Sequence, residues 1–209
     1  MGLFTRELKS LDDLFLHGLK DIYYAETQIV KNLPKLIEAA TNAELKKGLK
    51  QHLVETEQQV IRLERAFELL GEKAKGTRCP GIDGILTEGE ELLADVEGRT
   101  PTNAAVVASA QAVEHYEITR YGTLIAWAHE LGKDELVPLL ERNLREEKAA
   151  DKKLTIVAEA RVNRGSRGRR KVSTKRRTAG VRKAAGVRKL AKAPAKQRKR
   201  PAASRRRAS

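Results

Sequence analysis

The stretch Glu114-His115-Tyr116-Glu117-Ile118-Thr119-Arg120-Tyr121-Gly122-Thr123-Leu124-Ile125-Ala126-Trp127 decides the reading of the chain. It has the composition of a buried helix, yet Glu114 and Glu117 stand three residues apart and so share one helical face. Continued forward, that face carries Tyr121, Leu124 and Ala128; continued backward, it carries Ala110 and Val107. An unpaired carboxylate on an apolar face costs several kcal/mol. Two of them need a reason to be there.

The surrounding segments are helical in pattern. Ser10 and Asp13 form a capping box before a stripe of Phe15, Leu19, Ile22, Glu26, Ile29, Leu33 and Leu36, with Pro34 expected to kink or end the helix. Thr41 and Glu44 suggest a second cap, opening a helix to Leu70 that Gly71 stops. Thr100-Pro101 suggests a third start, ending at Gly132, and Asp134 a fourth cap for a helix reaching about Ala160. Tight loops make each pair an antiparallel hairpin. The connection of roughly 30 residues between Gly71 and Thr100 holds a shorter amphipathic piece with Ile82, Ile85, Leu86 and Leu92. This is the connectivity of an all-α, ferritin-like four-helix bundle with a long crossover carrying a short helix.

Acids recur on the inner stripes. Glu26 is the one charge in the first stripe. His52, Glu55 and Gln59 interrupt Leu45, Leu49, Val60, Leu63 and Phe67 in the second, and Glu147 and Asp151 interrupt Leu140, Leu144, Leu154 and Ala158 in the fourth. Counted from the hairpin turns, Glu26 and Glu55 lie at matching heights, as do Glu117 and Glu147, within roughly half a turn at 1.5 Å per residue. The expectation is that Glu26, Glu55, Glu117 and Glu147 converge, with Glu114, His52 and Asp151 beside them. Carboxylates clustered in a low-dielectric core need cations between them, and a pair of divalent metals meets that need. Helix two carries His52-x-x-Glu55, and no Glu-x-x-His occurs anywhere. An oxygen-rich set of this kind suits Fe(III) or Mn. No catalytic residue is expected beyond the ligands.

The segments "LKDIYYAETQIVKNLPKL" (19–36), "HLVETEQQVIRLERAFELLG" (52–71), "EHYEITRYGTL" (114–124) and "LREEKAADKKLT" (144–155) resemble the YciE/YciF family of ferritin-like proteins. The resemblance covers about residues 5–160. It implies a di-iron carboxylate bundle, associated with stress responses and often called a ferroxidase: two Fe ions, with Mn the other candidate, oxidised by O₂ or H₂O₂.

Charge divides the chain. The 42 Lys/Arg and 28 Asp/Glu give a net +14, but residues 161–209 hold 21 basic and no acidic residues, leaving residues 1–160 at about −7. The bundle is therefore assigned to 1–160 and a disordered, basic tail to 161–209, which lacks aromatics and cannot bury enough surface to offset ordering entropy. The tail repeats Ala-Gly-Val-Arg-Lys six residues apart and then mixes Ala, Pro and Lys/Arg as linker-histone tails do. Its expected partner is DNA, with RNA open. The contacts fall to Arg169, Arg170 and Lys171; Lys175, Arg176 and Arg177; Arg182 and Lys183; Arg188 and Lys189; Arg198, Lys199 and Arg200; and Arg205, Arg206 and Arg207. Iron and oxidant would then be consumed beside the nucleic acid. A non-enzymatic DNA-binding or stress-association protein with a vestigial or structural metal site is the alternative.

Cys79 is the single cysteine, so no intramolecular disulfide forms. The first residues lack a signal-peptide apolar core, Arg6 breaks the myristoylation pattern, and no apolar run reaches the roughly 18 residues of a membrane span. These features lead to the expectation of a cytoplasmic protein without membrane contact; the basic tail adds nucleoid association, and a homo-oligomer, a dimer first, is expected as well. His17, His115 and His129, the crossover Glu88 and the four tyrosines are read as surface or core groups.

Overall fold

The computed structural model describes residues 8–163. Its elements are α1 (Leu11–Ala39), α2 (Ala43–Leu69), α3 (Pro80–Asp95), α4 (Arg99–Glu130) and α5 (Val137–Val157), followed by a π-helical turn at Ala158–Val162. No strand occurs among the described residues. The basic segment from 164 onward, with every tail residue named above as nucleic-acid-binding, lies outside them.

The helices start and stop for identifiable reasons, not always those the sequence suggests. Ser10 Oγ accepts from Asp13 N at 3.1 Å, as its pattern implies. At α2 the cap is Asn42, not Thr41: Asn42 Oδ1 accepts from Glu44 N and Leu45 N, both at 3.0 Å. Thr41 Oγ1 accepts instead from Asn103 Nδ2 across the bundle. α4 begins two residues early, with Gly98 at φ 91° as its cap, leaving Pro101 in the first turn where no N–H is needed. α5 begins at Val137, because residues 133–136 form a turn in which Leu136 N reaches Lys133 O; Asp134 faces His129 instead. Pro34 does not end α1. Beyond it the helix continues to Ala39, and Leu36 and Ile37 pack on the core, so tertiary packing offsets the roughly 3 kcal/mol of an internal proline.

The four long helices form a square in which α1 packs on α2 and α4, and α5 packs on α2 and α4. Three-residue and six-residue links join α1 to α2 and α4 to α5, so each pair is antiparallel. Contacts between Gly18 and Trp127 at one end, and between Thr41 and Asn103 at the other, make α1 and α4 antiparallel as well. α2 therefore ends at the opposite end from where α4 begins, and the crossover must run the length of the bundle. α3 does this along the seam between α1 and α4, tied by Tyr24 to Asp83, Cys79 to Tyr116 and Lys35 to Glu90. Gly76 permits the approach: a Cβ there would lie 2.9 Å from Tyr24 Cβ.

The core divides along the bundle axis. Toward the α1–α2 turn lie Ile29, Leu33, Leu45, Leu49, Val106, Ala110 and Leu154; toward the α4–α5 turn lie Phe15, Leu19, Leu63, Phe67, Leu124 and Leu140. Each such side chain contributes about 1.5–3 kcal/mol on burial. Between them is a layer of buried polar groups.

Candidate metal centre

α4 supplies the centre of that layer. Its buried face runs Ala110, Glu114, Glu117, Tyr121 and Leu124, so both glutamates are turned fully inward. α5 adds Glu147 with Asn143 one turn before it, and α1 adds Glu26 from its apolar stripe. The buried face of α2 runs Leu45, Leu49, His52, Thr56, Gln59 and Leu63. α2 thus brings no carboxylate to the interior but an imidazole and an amide.

The side chains interlock. His52 Nε2 lies 3.2 Å from Glu114 Oε1 and 3.7 Å from Glu147 Oε2. One ligand atom each from His52, Glu114, Glu117 and Glu147 falls within 4.8 Å of all the others, a grouping that could hold a metal ion. Glu26 is oriented by a hydrogen bond from Tyr121 Oη, which itself accepts from Asn143 Nδ2 at 2.8 Å. Asn143 Oδ1 accepts from Arg62 Nε, and Gln59 Nε2 donates to Glu147 Oε1. Glu146, behind this layer, takes the Arg62 guanidinium.

Eight atoms of the layer are buried without a hydrogen-bond partner: Glu26 Oε2, both ring nitrogens of His52, Gln59 Oε1, Glu114 Oε2, both carboxylate oxygens of Glu117, and Glu147 Oε2. An unsatisfied buried polar group costs about 1–3 kcal/mol, more when charged. Loss of water, then the charge of Glu147, pushes Glu26 and Glu117 well above the usual carboxylate range. Glu114 rises for the same first reason and through hydrogen bonding with Glu147. Such a set repels itself when ionised and lacks donors, which a divalent cation remedies on both counts. The donor set of carboxylate oxygens with one imidazole fits a hard or borderline metal.

The placement of the candidate ligands is uneven. Glu26, Glu114, Glu117, Glu147 and His52 lie in the buried layer. Glu55, expected among the four converging acids, does not point inward: Thr56 takes that position, and Glu55 is half-buried at the edge, 3.7 Å from His52 Nδ1 and 3.9 Å from Lys153 Nζ. The spacing Leu45, Leu49, His52, Thr56, Gln59, Leu63 sets the phase of α2, and Glu55 is about 100° away from it. Its carboxyl is held below the usual range, chiefly by the neighbouring His52 imidazole. Asp151 also stays at the edge, accepting from Gln111 Nε2 at 2.8 Å and lying 3.4 Å from the exposed His115. The candidate set above omits Gln59, Asn143, Tyr121 and Arg62. Asn143 sits one turn before Glu147 and Tyr121 one turn after Glu117, a spacing that could have found them. Cys79 is buried against Tyr116 Oη at 3.1 Å and touches none of this layer's groups.

A bundle of four long helices with a crossover helix, enclosing a histidine–carboxylate layer, defines an all-α protein with a candidate metal centre. The chain belongs to the family described as "Domain of unknown function (DUF892)", which matches residues 10–167. It is similar to protein YciF of Escherichia coli (strain K12), 39% identical over 158 residues that cover 75% of this chain and 95% of that protein. Among solved structures it resembles YcfI of Rhodopseudomonas palustris, described as a structural protein, with 56% identity, TM-score 0.73 and coverage of 75% and 99% of the two chains. The crystal structure of the Escherichia coli stress protein YciF gives 40% identity, TM-score 0.71 and coverage of 74% and 98%. A Xanthomonas campestris protein, 23% identical with TM-score 0.58 over 72% of this chain and 92% of that one, shares the fold. Among the described residues no helix is long and apolar enough to cross a membrane.

Proposed function

We propose that the protein is a stress-associated, ferritin-like metalloprotein whose buried layer holds a pair of iron ions, manganese being the other candidate, and that it oxidises Fe(II) with O₂ or H₂O₂. The observation that carries this reading is the set of eight buried, unpartnered ligand-type atoms on Glu26, His52, Gln59, Glu114, Glu117 and Glu147. Bound iron would supply the electrons passed to the oxidant. The protein's own part is to hold and enclose. Glu114, Glu117, Glu147 and His52 offer ligand atoms from three helices. Tyr121 and Asn143 fix Glu26, and Gln59 fixes Glu147. The surrounding Leu, Ile and Ala side chains keep water out and strengthen every charge interaction inside.

The tail enters the same proposal. Its 21 basic residues against none acidic support non-specific attachment to DNA, RNA being the second candidate. The relative called a stress protein supports the setting rather than the chemistry.

Metal analysis of the purified full-length protein, with Fe(II) oxidation followed in wild type and Glu117→Ala, tests the enzymatic reading. Wild type should hold a stoichiometric metal and outpace buffer, and Glu117→Ala should lose most of that excess. A protein that takes up no metal when supplied with Fe(II), Mn(II) or Co(II) would contradict the reading.

A further inference from the structure

The seam between α2 and α5 is not closed at the level of the buried layer. A cavity of about 30 Å³ opens there, room for about two waters. Leu49, Ala150 and Leu154 are among its walls, and His52 and Glu114 form its buried end. Outside it lies a surface groove of about 520 Å³ that shares Glu44, Gly48, Lys153 and Val157 with the cavity and has Lys47 and Lys50 on its outer wall. Gly48 stands where the two meet. A Cβ there would touch nothing within 4 Å, and its φ does not lie in the left-handed region that favours glycine. Glycine inside a helix costs about 0.5–1 kcal/mol relative to alanine, and no local contact explains it.

The acids along this seam are graded inward from a rim that also carries Lys47, Lys50 and Lys153. Side-chain exposure falls from 58% at Glu44 through 22% at Glu55 to 2% at Glu114. The cationic neighbours of the outer two, Arg161 at 3.8 Å and Lys153 at 3.9 Å, are exposed and loosely held. We propose that this seam is the passage by which a divalent cation reaches the buried layer, with Gly48 keeping it open and Glu55 receiving the ion between the surface and Glu114. The proposal rests on the metal-centre reading given above. A cation moved directly from water into an apolar bore would meet a steep desolvation barrier, and a carboxylate part-way along lowers it. A second cavity of about 20 Å³ touches His52 and Glu114 from the other side. Its remaining lining, Ile29, Leu33, Leu36 and Leu86 among it, carries no charge, so it does not suit a hydrated ion.

Stopped-flow uptake of Co(II) by the metal-free full-length protein, and removal by a chelator, test the passage independently of any oxidation. Gly48→Leu should slow uptake and removal together, by roughly tenfold or more as transfer comes to depend on rare local opening, with stoichiometry and affinity unchanged. Glu55→Gln should slow uptake roughly tenfold at low salt and much less at high salt, as a steering charge does. Gly122→Leu, at an exposed α4 position where a Cβ also meets nothing, should behave as wild type. If wild type takes up no Co(II), both the metal-centre reading and the passage are wrong. If Gly48→Leu loads and unloads at the wild-type rate, the passage alone is wrong. Should Gly48→Leu fold poorly, the isosteric Glu55→Gln decides, and unchanged uptake at low salt overturns the proposal.

Discussion

Glu117 is enclosed on every side and neither of its carboxylate oxygens meets a donor. Together with Glu26 and Glu114 it titrates above its ordinary value because charging it means losing water beside other acids. The sign of the pH dependence follows. A group whose folded pKa exceeds its unfolded one contributes stability that is full below the unfolded value, near 4.5, and is lost as pH rises through the folded value. The metal-free protein should therefore melt at a lower temperature at pH 8 than at pH 5.5, and a divalent metal should reverse the loss by binding the native state alone. Glu117→Gln should stabilise the metal-free form at pH 8 by on the order of 1–3 kcal/mol, raising its melting temperature, while abolishing the metal-induced rise. Melting that is flat in pH for wild type, or a Glu117→Gln variant still stabilised by metal, would refute this. At this scale the sequence showed that Glu114 and Glu117 share a face, because three-residue spacing fixes that whatever the fold. Counting heights from the turns ranked Glu55 with Glu26 without testing phase: Leu45, Leu49, Leu63 and Phe67 set a face that holds Thr56 and leaves Glu55 about 100° away.

Helix identity was legible for the same reason that boundaries were not: periodicity averages over many residues, whereas a cap is one side chain with competing offers. Thr41, Asn42 and Asp134 are all good caps in isolation. Asn42 wins at α2 because Thr41 is engaged by Asn103, a residue 62 positions away that no local pattern reveals. Asn103 is buried, and its side chain meets four partners. Oδ1 accepts from Thr41 N at 2.8 Å and Asn42 N at 3.0 Å; Nδ2 donates to Thr41 Oγ1 and Arg99 O, both at 2.8 Å. It thereby joins the α1–α2 turn to the first turn of α4, holding the two hairpins in register at one end. Asn103→Ala should destabilise the protein by roughly 2–4 kcal/mol, since it leaves buried donors and an acceptor unpaired. The metal layer lies several turns away, so metal stoichiometry at low temperature should not change. Chemical denaturation with metal analysis of the folded variant checks both; a loss below about 0.5 kcal/mol would mean that water replaces the asparagine without penalty.

The whole chain combines two sequences with opposite electrostatics, a body near −7 and a terminal segment near +21. The bundle's architecture was legible because loop lengths dictate which helices are antiparallel neighbours, and counting residues from the turns set Glu26, Glu117 and Glu147 at one level while also admitting Glu55, which does not point inward. What counting could not supply was the pairing of Gln59 with Glu147 and of Arg62 with Asn143, which exists only once α2 and α5 lie side by side. The charge division carries the remaining prediction. If binding to nucleic acid comes from the segment after residue 160, its source is release of counterions from phosphates rather than reading of base edges. Affinity of the full-length protein for duplex DNA should then be nearly independent of sequence and fall roughly a thousandfold or more between 50 and 200 mM salt, as for six or more phosphates neutralised. Residues 1–160 alone, with their net negative charge, should not bind at any of these concentrations, because the same field that draws the tail to phosphate repels the body. RNA and anionic vesicles, titrated in parallel, would separate a nucleic-acid partner from a lipid surface: preference for duplex DNA at equal phosphate concentration supports the DNA reading, and preference for vesicles opposes it. A truncated protein that still shifts duplex DNA at 150 mM salt, or a full-length complex insensitive to salt, would place the binding surface on the bundle instead.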